Sequence, residues 1–179
     1  PLIFPISNWA TITDSDVTVQ YAKTSGEVEI VTLIQGDDVW VGVGSDHTDR
    51  TLEAVDIPWS KQVTPNVLAP TVWRWSDVAD HWDAVTMESY VTEKGQRKLF
   101  QKAGVAEFWT PIEMRDALIG RIVPVKQGGM ILFSGTVVSV DHQLNYGTEW
   151  SIHMIDPVLK RRIDHTYHIT VLKDEILVP

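Results

Sequence analysis

Two runs of alternating residues meet at one short reversal, Gln35-Gly36-Asp37-Asp38, and this constrains the chain more than any other feature. In the first run Val28, Ile30, Thr32 and Ile34 fall on one face, with Glu27, Glu29, Val31 and Leu33 on the other. The second, from Asp38 to Ser45, puts Val39, Val41 and Val43 on one side. Gly-Asp is a favoured centre for a two-residue hairpin turn, because glycine adopts the positive φ such turns need without steric cost. A two-residue loop leaves one register: Gln35 faces Asp38, Glu29 faces Gly44 and Glu27 faces Asp46.

Directly opposed residues share a face, with Cβ atoms about 4.5–5.5 Å apart. Three carboxylates therefore converge at the end of a partly buried surface. Gly44 and Gly42, opposite Glu29 and Val31, contribute no side chain and predict open space above the acids. Like charges so close must protonate, stay wet or bind a cation. Hard oxygen donors with room for water suit Mg²⁺, with Mn²⁺ or Ca²⁺ as alternatives. The competing reading of Glu-x-Glu is an edge strand charged to discourage aggregation.

The pieces Glu27-Val28-Glu29, Ser45-Asp46-His47-Thr48-Asp49-Arg50, Lys61 and Ile131-Leu132-Phe133-Ser134-Gly135-Thr136 together resemble the fumarylacetoacetate hydrolase superfamily, and the phrasing resembles a small bacterial branch of unknown function. The resemblance implies a mainly β, α+β fold: a mixed β-roll with two short helices, commonly assembled as a homodimer. It implies Glu27, Glu29 and Asp46 as ligands of a divalent metal, usually Mg²⁺. Arg50, Gly135 and Thr136 become substrate-binding residues, and Lys61, near the substrate's carboxylate and oxo groups, a catalytic one. Two features depart from the family pattern. A tight hairpin replaces the longer connection between the second Glu and the Asp, and no His precedes Glu27 to supply the His/Glu lid dyad of several relatives. A segment ahead of Pro1 carrying that lid is left open. His47, directly after Asp46, is the nearest substitute and the second catalytic candidate, provided the chain turns there.

The implied activity is that of a metal-dependent enzyme on a small 2-oxo or 2,4-dioxo carboxylic acid, by C–C hydrolysis, decarboxylation, hydration or tautomerisation through a metal-stabilised enolate. The alternative is a β module that binds metal or a small ligand and has lost the chemistry. A net charge of -9 excludes a nucleic-acid surface, since phosphate binding needs clustered Lys and Arg and the longest basic run is Lys160-Arg161-Arg162. An anionic substrate then requires positive charge concentrated locally, as Arg50, Lys61 and a metal would do. The absence of cysteine removes disulfides and thiolate chemistry and fits a cytoplasmic enzyme. No apolar run approaches the ~20 residues that span a bilayer, and no membrane partner is expected.

At 179 residues the chain reads as one domain, 1–179, with residues 1–15 an extended, Pro-interrupted arm. Strands are expected over 16–22, 129–140, 148–155 and 163–172, and a second, projecting hairpin over 84–102, turning at Glu93-Lys94-Gly95-Gln96. Residues 51–70, with three prolines, read as a long ordered loop whose Trp59 and Val63 make Lys61 part of a lining. Residues 76–84 read as a short helix capped by Ser76, within a packing cluster of Trp73, Trp75, His81 and Trp82. Thr110-Pro111-Ile112-Glu113 is a capping box that starts a helix running to about Ile119, ended by Gly120. His142, His153, His165 and His168 lack the spacing of a His-based metal site and receive no role.

Overall fold

A computed structural model of the chain describes residues 2–118, 121 and 129–175. In chain order the strands are β1 (Thr11–Ile12), β2 (Asp16–Val19), β3 (Thr24–Ser25), β4 (Val28–Gln35), β5 (Asp38–Asp46) and β6 (Thr48–Asp49). Helices α1 (Arg50–Glu53) and α2 (Ile57–Gln62) follow, then β7 (Asn66–Leu68), β8 (Trp73–Arg74), β9 (Thr86–Glu93) and β10 (Gln96–Gly104). The chain continues through α3 (Pro111–Leu118), β11 (Met130–Phe133), β12 (Glu149–Asp156) and β13 (Arg161–Val171). The fold is mainly β, with curled mixed sheets and few helices, as the sequence reading expected.

One sheet runs β1-β7-β5-β4-β11, with β8 also on β5; the other runs β10-β9-β12-β13-β2, and β3 pairs with β6 separately. β1 on β7 and β2 on β13 are parallel and every other pairing is antiparallel, which makes both large sheets mixed. The β4–β5 hairpin has the register deduced from its loop: Gln35 faces Asp38 and Glu29 faces Gly44. Gly36 takes φ 60 at the turn. The sheets pack face to face through period-two faces, Val28, Ile30, Val41 and Val43 from one and Met87, Ile152, Met154 and Ile163 from the other.

Several expectations are corrected. The second hairpin, β9–β10, does not project; β9 is hydrogen-bonded to β12 and buries Met87, Ser89 and Val91 against the core. Its turn does carry the paired positive φ of a type I′ hairpin, 51 at Lys94 and 77 at Gly95. Residues 76–84 form two short 3₁₀ turns in place of an α-helix: Ser76 caps nothing and His81 leaves helical geometry at φ -136. The aromatic cluster there is a packing cluster, with Trp75 edge-on to Trp82 at 5.2 Å. Thr110 and Glu113 form the capping box of α3, whose described part ends at Leu118; Ile119 and Gly120 lie outside the described residues. The arm reaches the body sooner than expected, since Thr11 and Ile12 join the first sheet. Among the described residues no helix is long and apolar enough to cross a membrane.

The β12–β13 turn is fixed by a buried charge. Asp156 has no exposed surface and accepts backbone N–H groups from Val158 (3.0 Å) and Leu159 (3.1 Å). Its other oxygen meets His81 Nε2 and Arg161 Nε, each at 3.1 Å, and the Arg161 guanidinium stacks 4.5 Å over Trp73. Burial pushes the carboxyl up, but these donors outweigh it and hold Asp156 below the usual carboxylate value. A depressed folded pKa stabilises above the unfolded value of ~3.9 and is lost as pH falls through the folded one. Asp156→Asn is therefore expected to cost about 2–3 kcal/mol in urea denaturation at pH 7, with the difference from wild type shrinking below about pH 4.

Candidate metal and acid-binding site

Glu29 sits inside β4, 4% exposed, and its Oε2 accepts the Gly135 N–H at 2.8 Å. Glu27 directly precedes β4, and its carbonyl accepts the Asp46 N–H at 3.0 Å, extending the ladder by the one step the register requires. Asp46 ends β5 and is locked from the far side by pairing with Asn66 of β7. One carboxylate oxygen from each of Glu27, Glu29 and Asp46 lies within 4.8 Å of the others. The space expected above Glu29 is filled: a Cβ on Gly44 would meet Phe133 Cε1 at 2.5 Å and Val31 Cγ2 at 2.6 Å. Gly44 thus lets an aromatic ring from β11 close over the hairpin.

Two cations face this cluster. Asp49 caps α1 by accepting from the Thr51 and Leu52 N–H groups, which sets Arg50 at the first helical position. The Arg50 guanidinium reaches Glu27 Oε1 and Glu53 Oε2, each at 2.8 Å, and donates from Nε to Ser25 Oγ at 2.5 Å. Lys61 belongs to α2, not to a loop: Asp56 caps that helix and Pro58 occupies its first turn. Its ammonium donates to Asp46 Oδ2 and, at 3.3 Å, to Glu27 Oε2. Its neighbours Trp59 and Val63 do not line anything, being 65% and 54% exposed on the outer side.

The electrostatics follow from burial. Glu29 is held well above the usual glutamate value, first by desolvation and then by repulsion from Asp46. Burial also raises Asp46 to about 6, although Lys61 pulls it down. For Lys61 and Arg50 burial acts downward, but the facing carboxylates outweigh it and keep both above their ordinary values. Two unit charges 4.8 Å apart repel by roughly 3–4 kcal/mol at an effective dielectric of 20. Arg50 is shared with Glu53, so two cations face four carboxylates and do not neutralise them all. Asp46 Oδ1 is buried with no hydrogen-bond donor. A hard divalent cation fits this donor set: three convergent carboxylates, one with an oxygen that nothing else satisfies.

The third side of the site comes from the segment after β11. The strand expected to run to Val140 stops at Phe133, and Gly135 takes φ 88, a left-handed value that a side chain would strain. That geometry turns the Gly135 N–H onto Glu29, so this donor positions a carboxylate and is not free for a substrate. Thr136 Oγ1 donates to the Val28 carbonyl and accepts from Gln101 Nε2, both at 2.8 Å. Gln101, a residue the sequence gave no reason to select, ties the two sheets together. Its Oε1 accepts from Val28 N–H (2.9 Å) and Ser89 Oγ (3.1 Å), while Nε2 also donates to the Val137 carbonyl at 2.5 Å.

His47 is corrected from reacting group to positioning residue. The chain does not turn it toward the acids; it points into the space between the sheets with no exposed surface. Nδ1 bonds Tyr167 Oη at 3.0 Å and Nε2 bonds Thr24 Oγ1 at 2.8 Å, so neither nitrogen is free. Burial, with the Arg50 charge, lowers its pKa to about 3, and the ring stays neutral. Tyr167 also shares a hydrogen bond with Ser45 Oγ at 2.8 Å, which fixes the backbone next to Asp46.

A cleft of about 300 Å³ opens beside Glu27 and Arg50. Phe100, Gln101 and residues 136–139 and 142–144 complete its lining. His142 enters here with φ 56, in a turn held by its N–H to the Ser139 carbonyl (3.0 Å) and by Ser139 Oγ to the Gln143 carbonyl (2.8 Å). Its imidazole makes no hydrogen bond to another described residue. Sequence spacing offered no signal for it; the polar Asp141-His142-Gln143 turn placed among apolar neighbours is the nearest hint.

The architecture is that of fumarylacetoacetate hydrolase-like proteins, carrying an acidic triad at one end of a β-roll. A 2-keto-3-deoxyarabinonate dehydratase superposes with a TM-score of 0.61 at 16% identity, over 87% of this chain and 54% of that one. Cg1458 crystallised with an inhibitor gives 0.62 at 13%, over 90% and 64%. The chain thus spans about half to two thirds of the length of these structures. No curated protein sequence matches it. Residues 1–167 match the family described as Protein of unknown function (DUF2848), and the chain belongs to that family. For the site's framework, Gln101→Leu strips partners from Val28 N–H and the Val137 carbonyl and is expected to destabilise by roughly 3 kcal/mol in urea denaturation, whereas a surface substitution such as Lys98→Gln leaves the midpoint unchanged.

Proposed function

We propose that this chain is a divalent-metal-dependent enzyme acting on a small 2-oxo carboxylic acid, with Glu27, Glu29 and Asp46 as the ion's ligands. The observation that carries the reading is Asp46 Oδ1, buried without a donor in a group of three convergent carboxylates. A bound Mg²⁺ would supply a fixed positive charge and Lewis-acid polarisation of an oxo group. The chain's own residues do the remaining work. Arg50 has five N–H donors and spends three on Ser25, Glu27 and Glu53, which leaves two for a substrate carboxylate at the cleft floor. Lys61 holds Glu27 and Asp46 in place and keeps one N–H.

His142 is the group we assign to proton transfer. Its imidazole has no internal partner among the described residues and lines the same cleft as Arg50. It would take the proton from the carbon beside the oxo group and return it in the product-forming step. Tautomerisation and hydration or dehydration use both the removal and the return of that proton, whereas decarboxylation and C–C hydrolysis break a C–C bond and use only proton delivery to the enolate carbon. The likeness of the fold to a 2-keto-3-deoxyarabinonate dehydratase supports an oxo-acid substrate.

Two measurements test this. Mg²⁺ at 100-fold over its Kd should raise the melting temperature by roughly 5–10 °C in the wild type and not in Asp46→Ala; a wild type indifferent to Mg²⁺, Mn²⁺ and Ca²⁺ overturns the metal site. Exchange of the C3 protons of 2-oxo acids with D₂O, followed by NMR, should be catalysed by wild type with Mg²⁺. His142→Gln should slow it by about 10²-fold or more while keeping the Mg²⁺ response. Metal binding without exchange on any acid would instead leave a ligand-binding β module.

A further inference from the structure

The cleft wall is chemically quiet, and that restricts what its ligand can carry. Gln101 spends both N–H groups on Thr136 and Val137 and both acceptor positions on Val28 and Ser89. Thr136 gives its hydroxyl hydrogen to the Val28 carbonyl, and Ser139 gives its own to the Gln143 carbonyl. Neither side-chain hydroxyl, nor the Gln101 amide, therefore has a donor left for a ligand. The remaining wall is Phe100, Val137, Val138 and Leu144, with Val138 72% and Leu144 52% exposed. Charge is confined to the floor, at Glu27 and Arg50, and unspent polarity to His142 and Gln143 at the rim.

We infer that the acid bound here has a short apolar tail lying against Val137, Val138 and Leu144, with at most one polar group beyond the oxo acid head, placed to meet Gln143. This rests on the oxo-acid reading and narrows it. A tail bearing several hydroxyls would bring each against side chains that are apolar or already hydrogen-bonded and do not replace its water. Each stripped hydroxyl weakens binding by roughly five- to a hundredfold. Each methylene buried against the same wall strengthens it by roughly fourfold.

The test is calorimetric titration at saturating Mg²⁺ with three acids: pyruvate, 2-oxohexanoate and 2-oxo-4,5,6-trihydroxyhexanoate. The last two have the same chain length and differ only in the tail hydroxyls. The expected order is 2-oxohexanoate tightest, by at least tenfold over each of the others. A Val138→Ser, Leu144→Ser variant should lose most of that preference while its melting temperature still responds to Mg²⁺. Equal or tighter binding of the trihydroxy acid overturns the inference and leaves the oxo-acid reading intact. If Mg²⁺ binds but none of the three acids does, the oxo-acid reading fails and this inference with it.

Discussion

One strand register brings negative charge where water is scarce, and the rest of the molecule answers that. The loop at Gly36-Asp37 admits a single pairing of β4 with β5, which sets Glu29 opposite Gly44 and carries Glu27 to the level of Asp46. Burial disfavours charge on Glu29 and Asp46, and their mutual repulsion adds to it. The neighbouring elements are arranged as counterweights: α1 delivers Arg50, α2 delivers Lys61, and the φ 88 kink at Gly135 delivers a backbone N–H. These three donors each hold one carboxylate oxygen and leave Asp46 Oδ1 buried without a donor. A site held this way is ordered by the chain's own hydrogen bonds and ion pairs.

The second sheet is the stator for the first. Gln101 crosses from β10 to the start of β4, and the Thr24–His47–Tyr167–Ser45 chain of hydrogen bonds joins β13 to the end of β5. Both links reach the backbone next to a carboxylate, one at Val28 between the two glutamates and the other at Ser45 beside Asp46. Edge-on packing of His47 against Trp150 and Tyr167 keeps the second link dry. Fully satisfied polar networks of this kind fix geometry more than they add stability.

What could be read in advance was what depends on near neighbours in sequence. Period-two alternation and a Gly-Asp loop are local, so the hairpin, its register and the convergence of Glu27, Glu29 and Asp46 were legible, as was the capping box at Thr110. Arg50 and Lys61 entered through resemblance, and the α2 start at Asp56-Ile57-Pro58 was legible in principle but hidden by the surrounding prolines. The failures came from distant partners. Space above Gly44 vanished because Phe133 arrives from β11, and His47 lost one free nitrogen to Tyr167, far along the chain, and the other to Thr24. The helix expected at 76–84 yielded to tertiary packing of Trp75 and Trp82, which sets the backbone there more strongly than its local propensity does.

The division between floor and wall has a structural basis. Floor groups stand on or beside β4, β5 and α1, elements whose positions the register dictates, whereas the wall from Val137 to Leu144 is irregular chain held by its own turn bonds and by two bonds to β10, Gln101 Nε2 to the Val137 carbonyl and Val140 N–H to the Phe100 carbonyl. A side-chain change at Val138 or Leu144 touches neither of those bonds, while a change on the floor disturbs buried charges that compensate one another. That separation lets one β-roll, shared at 12–16% identity with the structures it superposes on, keep its paired strands while the loop beside them varies.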